Sequence, residues 1–302
     1  TQIPHFIAGT RVPGESGRFG DVYNPVRGTV AAQVPLATAD EVERAVTSAQ
    51  EAFPVWSALN PQRRGRLLLK WVDRINENAD ELAELLSNEH GKTLEDARGD
   101  IQRGVEVVEF AAGAPQLLKG EFSANAGTGI DVHYLRQPLG VVAGITPFNF
   151  PAMIPMWMFG VAIAVGNTFV LKPSEQDPMV TMRLVELALQ VGFPPGVLNV
   201  VLGDGASTGA ALVAHADVAK IAFTGSTATG QAILRASVPE LKRVTLELGG
   251  KSPSIICADA DMSRAIPEAA MACFFNSGQV CYAGTRLYVH RSLYEAVLQG
   301  LA

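Results

Sequence analysis

The sequence predicts an α/β fold: a parallel sheet covered by helices on both faces, then the beginning of a second α/β unit. Two observations carry this. From Leu139 onward, short apolar, β-rich runs at 141–145, 168–171, 197–202, 218–223 and 244–248 alternate with helical patterns near 151–165, 178–191, 206–214 and 227–238. After Gly249 the rhythm restarts, with a strand at 254–257, a helix at 262–275, a tight glycine-rich turn and a strand at 286–290. Hydrophobic residues make up 48% of the 302-residue chain and charged residues 18%, enough apolar side chain to bury such a sheet and unlike a disordered composition.

The part before Leu139 reads as mixed strand followed by helices. Thr38 with Glu41 forms a capping box, and Val42, Ala45, Val46 and Ala49 come next at helical spacing. Asn60-Pro61 opens a second helix whose buried face is Leu67, Leu68, Trp71, Val72 and Ile75. A third helix spans 80–88, with Gly91 suited to its end. Residues 93–118 read as one long helix with apolar positions at Ile101, Val105, Val108 and Ala112. Two polar-flanked stretches, 121–123 and 131–137, read as a hairpin. The expected boundaries are 1–120, 121–138, 139–249 and 250–302.

A net charge of −6 argues against a general phosphate-backbone binder, and the densest cationic cluster, Arg63, Arg64 and Arg66, reads as a solvated helix face. The three cysteines, Cys257, Cys273 and Cys281, contain no C-x-x-C pair, so neither a disulfide framework nor a zinc site is expected. Free thiols, with no basic-then-apolar leader at 1–10, point to a cytoplasmic protein. Residues 139–171 carry no charged group before Lys172, but Pro147, Pro151 and Pro155 with Gly144 and Gly166 interrupt any spanning helix. No membrane segment is expected.

No strict G-x-G-x-x-G occurs, since Gly203-Asp204-Gly205 is followed by Gly209 one residue too late, and Gly225 to Gly230 is followed by Gln231 rather than Lys. Other signals stand at strand ends. Asn149 lies between aromatics and prolines in Thr146-Pro147-Phe148-Asn149-Phe150-Pro151. Lys172 and Glu175 in Lys172-Pro173-Ser174-Glu175 suit ribose hydroxyls, although a surface ion pair is the plainer reading. Phe223-Thr224-Gly225-Ser226-Thr227 ends a strand and opens a helix, where backbone N–H groups favour an anion. Glu247, in Leu246-Glu247-Leu248-Gly249-Gly250-Lys251, places a carboxylate in an apolar strand, and a buried one costs several kcal/mol unless paired. Gly278-Gln279-Val280-Cys281 puts a cysteine at a turn among polar neighbours, whereas Cys257 and Cys273 read as small buried hydrophobes.

Taken together, in this order and spacing, these motifs resemble the aldehyde dehydrogenase superfamily from Phe6 to the end of the chain. The resemblance implies a Rossmann-like NAD-binding domain at 139–249, preceded by its helical part, the hairpin of an oligomerisation region, and followed by the start of the catalytic domain. It implies Cys281 as nucleophile, Asn149 as side-chain oxyanion donor beside the Cys281 backbone N–H, and Glu247 as the base of deacylation. NAD, rather than NADP, is implied as cofactor. Its cleft is expected at Ile145, Thr146, Pro147, Phe148, Lys172, Ser174, Glu175, Gly205, Phe223, Thr224, Gly225, Ser226, Leu248 and Gly249, with Ser226 on the pyrophosphate. The aldehyde is expected against Arg103, Phe148, Met153, Trp157 and Tyr282. No metal or nucleic acid is implied, and the whole protein is expected to be a homodimer or homotetramer.

Within the superfamily there are two pulls. Residues 102–109 and 136–158 are very similar to methylmalonate-semialdehyde dehydrogenase, which passes its acyl group to coenzyme A, lacks the glutamate base and carries an arginine before its nucleophile. Here Glu247 is present and Val280 stands where that arginine would be, and from about Gly203 onward the sequence resembles the hydrolytic aldehyde dehydrogenases. Oxidation to the free acid is therefore the expected reaction, coenzyme A acylation the alternative. Family members are considerably longer, with a downstream Glu-x-Phe-Gly-Pro segment, so a C-terminally truncated chain is expected. An inactive NAD-binding or interaction fragment is the alternative of another class.

Overall fold

The computed structural model describes residues 1–302 and divides into two compact units, residues 1–224 with 230–246, and residues 225–229 with 247–302. The first unit begins with strands β1 (His5–Ile7), β2 (Thr10–Val12), β3 (Phe19–Asn24) and β4 (Thr29–Pro35). Helices α1 (Ala39–Ala58), α2 (Pro61–Glu77), α3 (Ala79–His90), α4 (Leu94–Ala112) and α5 (Ala114–Leu117) come next, then the hairpin β5 (Phe122–Gly127) and β6 (Ile130–His133). The alternating part runs β7 (Val141–Ile145), α6 (Met153–Ala164), β8 (Thr168–Lys172), α7 (Met179–Gln190), β9 (Leu198–Val200), α8 (Ala210–Ala214), β10 (Val218–Gly225), α9 (Thr227–Ser237) and β11 (Arg243–Leu248). The second unit adds β12 (Pro253–Ile256), α10 (Met262–Phe274), β13 (Arg286–Val289) and α11 (Tyr294–Leu301).

The local signals form as written. Thr38 and Glu41 make the reciprocal capping box of α1, Asn60 caps α2, and Gly91 ends α3 at φ +86°, a conformation that favours glycine. The central strands β7 and β8 are buried at every position, as strands covered on both faces must be.

The sheet is mixed rather than wholly parallel. Its order is β11-β10-β7-β8-β9-β1-β2, parallel from β10 to β9, with β1 antiparallel to both β9 and β2. The N-terminal hairpin thus completes one edge, too short a pair to show a periodic signal in sequence. The helix expected across 93–118 breaks at Gly113, because Pro115 cannot donate and restarts a separate turn. The second hairpin strand ends at His133, short of Gln137, and the strand expected at 197–202 is only Leu198–Val200. Residues Gly205–Gly209 form a π-type turn, so regular helix begins only at Ala210.

Arg64 corrects a further expectation. It is 3% exposed, not solvated: Nε donates to Ala164 O at 3.0 Å, and Nη1 donates to the carbonyls of Ser57 and Leu59. It thereby satisfies the carbonyls left over at the C-terminal ends of α1 and α6. The core is built on large rings. Trp71 and Phe159 lie 5.3 Å apart, Phe159 meets Phe169 edge-on at 6.1 Å, and the indole N–H groups of Trp56 and Trp71 donate to Ile163 O and Leu184 O. The second unit has its own small core of Ile256, Ala269 and Val297, lined by Leu287, Val289 and Leu293.

No helix is long and apolar enough to cross a membrane. The uncharged run that raised that question is β7, a loop, the twelve-residue α6 and β8.

Candidate active site

In the first unit the candidate cofactor residues fall in one row. The parallel register sets Lys172 beside Ile145 and Ile145 beside Phe223, so the last residues of β8 and β7 stand level with Phe223, near the end of β10, at the carboxyl edge of the sheet. Ligands of open parallel sheets bind beyond this edge. Lys172 is 3% exposed, and its ammonium meets Glu175 Oε2 at 2.7 Å. The pair is therefore half-sunk into the strand end rather than on the surface. The Thr146 amide donates to Lys172 O at 3.1 Å, while the hydroxyls of Thr146, Thr208 and Thr224 are buried with no protein partner. Three orphaned hydroxyls near one strand edge are a cost unless a polar ligand meets them.

Gly205 starts the π-type turn after β9 and is open: a Cβ there would meet nothing within 4 Å. Gly203 is the tight position, where a Cβ would lie 1.9 Å from Thr208 Oγ1. Asp204 caps the turn, accepting from the Ser207 amide at 2.6 Å, and this bond holds its carboxyl below the usual range. Ser174 is buried, and its Oγ accepts from the Gln176 amide at 3.1 Å. Pro147 is half-buried and Phe148 is 36% exposed on the loop after β7.

That loop carries Asn149 and is fixed along its length. Lys92 Nζ donates to Asn149 O at 2.9 Å and lies 4.3 Å from the Phe150 ring centre. Thr181 Oγ1 donates to Pro151 O at 2.9 Å, and the Met153 amide donates to Asp100 Oδ1 at 2.8 Å. Lys92 also pairs with Asp100 Oδ2 at 3.0 Å. Burial pushes the Lys92 ammonium down and the Asp100 carboxyl up, each opposed by the charge of the other. Lys92, Asp100 and Thr181 do not stand out in the sequence as site residues. A signal existed for Asp100, which falls three residues after Ala97 and four before Gly104, on the buried stripe of α4.

The expected substrate residues of this unit cluster on α4, the same loop and α6. Met153 is buried, Trp157 is 41% exposed one turn later, and Arg103 is exposed on α4. Next to Arg103, a Cβ on Gly104 would stand 3.2 Å from the Met153 Cα and displace the end of the Met156 side chain, so glycine suits the close approach of α4 to the start of α6.

In the second unit, Ser226 accepts from the Thr229 amide at 3.2 Å, so its hydroxyl caps α9. The turn before Cys281 needs more than one glycine: Asn276, Ser277 and Gly278 all take left-handed φ values of 51°, 59° and 75°. Non-glycine residues pay for that conformation, typically at functional turns. The Ala283 amide then donates to Val280 O at 3.1 Å, closing a turn with Cys281 and Tyr282 at its corners. Both are exposed, Tyr282 at 71%. The Gly250 amide donates to Cys281 O at 3.1 Å, which ties this turn to the Glu247-Leu248-Gly249 strand end.

Two expectations fail here. Glu247 is exposed, not buried, because β11 is an edge strand whose residues alternate and Glu247 falls on the open face. Cys257 is exposed and Cys273 half-buried: Cys257 falls just past the end of β12, beyond the Ile256 position that faces the small core. Leu248 is half-buried, and Gly249 is exposed with nothing within 4 Å of a Cβ.

The aldehyde dehydrogenase family model matches residues 12–302. A malonate-semialdehyde dehydrogenase of Bacillus pumilus is 42% identical over 299 residues, 99% of this chain and 61% of that protein. Among solved structures, PnpE in complex with nicotinamide adenine dinucleotide superimposes with a TM-score of 0.96 at 45% identity, covering 100% of this chain and 62% of the other. The methylmalonate-semialdehyde dehydrogenase DddC of Oceanimonas doudoroffii gives 0.96 at 42% identity, covering 100% and 62%. The chain thus spans about three-fifths of the length of the relatives it matches. With a family match over nearly its whole length and the strand-end motifs in register, the chain belongs to the aldehyde dehydrogenase family.

Proposed function

We propose that this protein oxidises an aldehyde to a carboxylic acid with NAD, through a thioester on Cys281. The observation that carries the reading is the Gly250–Cys281 hydrogen bond at 3.1 Å, which holds an exposed cysteine turn against the strand end bearing Glu247. The Cys281 thiolate attacks the aldehyde carbon and forms a hemithioacetal. Asn149 donates from its carboxamide to the oxyanion that develops on the substrate; a neutral donor of this kind is worth ~10²–10³ in rate. When bound, NAD supplies the hydride acceptor. Glu247 then takes a proton from the water that attacks the thioester.

The residues present fit NAD. The Lys172–Glu175 pair offers a donor and an acceptor for two ribose hydroxyls, the buried Thr146 and Thr224 hydroxyls lack protein partners, and the α9 N-terminus offers backbone N–H groups to a pyrophosphate. Ser226 Oγ accepts from the Thr229 amide and so caps that helix beside the same N–H groups. Gly205, exposed and open, allows close approach of a ligand to the backbone.

The second reading is transfer of the acyl group to coenzyme A. Relatives named malonate- and methylmalonate-semialdehyde dehydrogenase favour it, as does Arg103, exposed on α4 and suited to a substrate carboxylate. Glu247 and Val280 favour water. The test is NADH formation from propanal and from methylmalonate semialdehyde, each with and without coenzyme A. Turnover without coenzyme A supports the hydrolytic reading; turnover only with it moves the protein to the acylating class. No turnover with either aldehyde under any condition leaves the third reading, an NAD-binding or interaction protein.

A further inference from the structure

We propose that Lys92 is a positioning residue for Asn149, and that its buried pair with Asp100 clamps the loop from which the Asn149 side chain works. This rests on the reading of Asn149 as oxyanion donor.

The loop from Asn149 to Ala152, which leads into α6 at Met153, has no regular structure of its own, and α6 starts without a side-chain cap from its own N-cap residue, Ala152. Its order comes from outside. Lys92 Nζ divides its donors between Asn149 O at 2.9 Å and Asp100 Oδ2 at 3.0 Å, and its charge sits 4.3 Å from the Phe150 ring centre. The other Asp100 oxygen accepts from the Met153 amide at 2.8 Å and so replaces the missing cap of α6. Thr181 fixes Pro151 O between them. Four of five consecutive residues are therefore held, three of them through the backbone.

The lysine is an expensive way to hold a carbonyl. Lys92 is 7% exposed and Asp100 fully buried, and a buried ion pair is often no more stable than an apolar one of the same volume. Packing alone does not account for it. A cation whose hydrogen bond lands on the main-chain carbonyl of Asn149 fixes the peptide plane next to that residue's side chain, and an oxyanion donor works only if aimed before charge develops. The route is also short: Gly91, left-handed at φ +86°, ends α3 and delivers Lys92 directly beneath the loop.

The test is a double-mutant cycle on kcat. Asn149→Ala is expected to lose ~10²–10³. Lys92→Met is expected to lose roughly ten- to a hundredfold in kcat, the scale of an ångström-sized misplacement, with the KM for aldehyde little changed. Combined, the two are expected to be no slower than Asn149→Ala, because Lys92 acts only through that amide. Lys92→Met strands a buried carboxylate, so the cycle is repeated with Lys92→Met/Asp100→Asn, which removes both charges and keeps an oxygen for the Met153 amide. Multiplicative losses overturn the proposal, as does wild-type kcat in the neutral-pair variant while Asn149→Ala is slow. Wild-type kcat in Asn149→Ala instead removes the oxyanion role itself, and the positioning role with it.

Discussion

The amide of Gly250 donates to the carbonyl of Cys281 at 3.1 Å, joining two segments that are 31 residues apart in sequence. The turn that presents the thiol is thereby held to Gly250, two residues past the end of β11 and three after Glu247. The two residues proposed for the thioester chemistry, Cys281 and Glu247, thus lie at or near the two ends of this bond.

Cys281→Ala is expected to abolish aldehyde oxidation while leaving NAD affinity intact. Rate measurements with NAD titration by protein fluorescence check this. Oxidation that survives in the variant removes Cys281 from the nucleophile's role, whatever Cys257 and Cys273 do.

Glu247→Gln is expected to slow turnover by ~10²–10⁴, the usual worth of a general base, and to let acyl-enzyme accumulate. Intact mass after one turnover with excess aldehyde should show the acyl adduct on Cys281. Unchanged steady-state turnover assigns the base elsewhere, which matters because Glu247 is exposed on an edge strand.

Glu175, 2.7 Å from Lys172 with its side chain 40% exposed, is expected to disfavour the 2′-phosphate of NADP by like-charge repulsion. Glu175→Gln should narrow the preference for NAD over NADP by roughly three- to tenfold, since a partly screened charge is worth about 1 kcal/mol. Equal kcat/KM for both cofactors in the unaltered protein would falsify this.

Glu89 makes fold stability depend on pH. Its carboxyl accepts from the Met179 amide at 2.8 Å, and burial pushes it up to about 8 from 4.5. Asp177, fully buried nearby, is also raised, first by burial and then by the charge of Glu89. A raised folded-state value means that the fold holds a proton the unfolded chain gives up. The stabilisation is complete below about pH 4.5 and is lost as pH rises to about 8. Glu89→Gln keeps an oxygen for Met179 and removes the titration. The variant should match the wild type near pH 4.5 and exceed it by about 1–3 kcal/mol at pH 8. Denaturant melts at the two pH values measure this, and parallel curves would show that Glu89 titrates normally.

The features legible in the sequence are those whose cause is local. A strand covered on both faces must be apolar throughout, so β7 and β8 announce themselves; a capping box, an Asn-Pro helix start and a left-handed glycine act within a few residues, so α1, α2 and the end of α3 do as well. Cys281 stood out because polar and glycine neighbours are wrong for a core thiol. The family motifs came from residue order.

Tertiary structure alone decided how those residues are held and how buried they are. Glu247 reads as buried from its apolar neighbours, but exposure depends on what covers each face of β11, and Glu247 alternates onto the open face. Arg64 reads as solvated until the carbonyl ends of α1 and α6 converge on it. The hold on Asn149 comes from Lys92, 57 residues earlier, and the capping of α6 from Asp100, 53 residues before Met153. Hydrogen bonds across such separations leave no periodic trace in a sequence, because they depend on where helices pack and not on the order of neighbours along the chain.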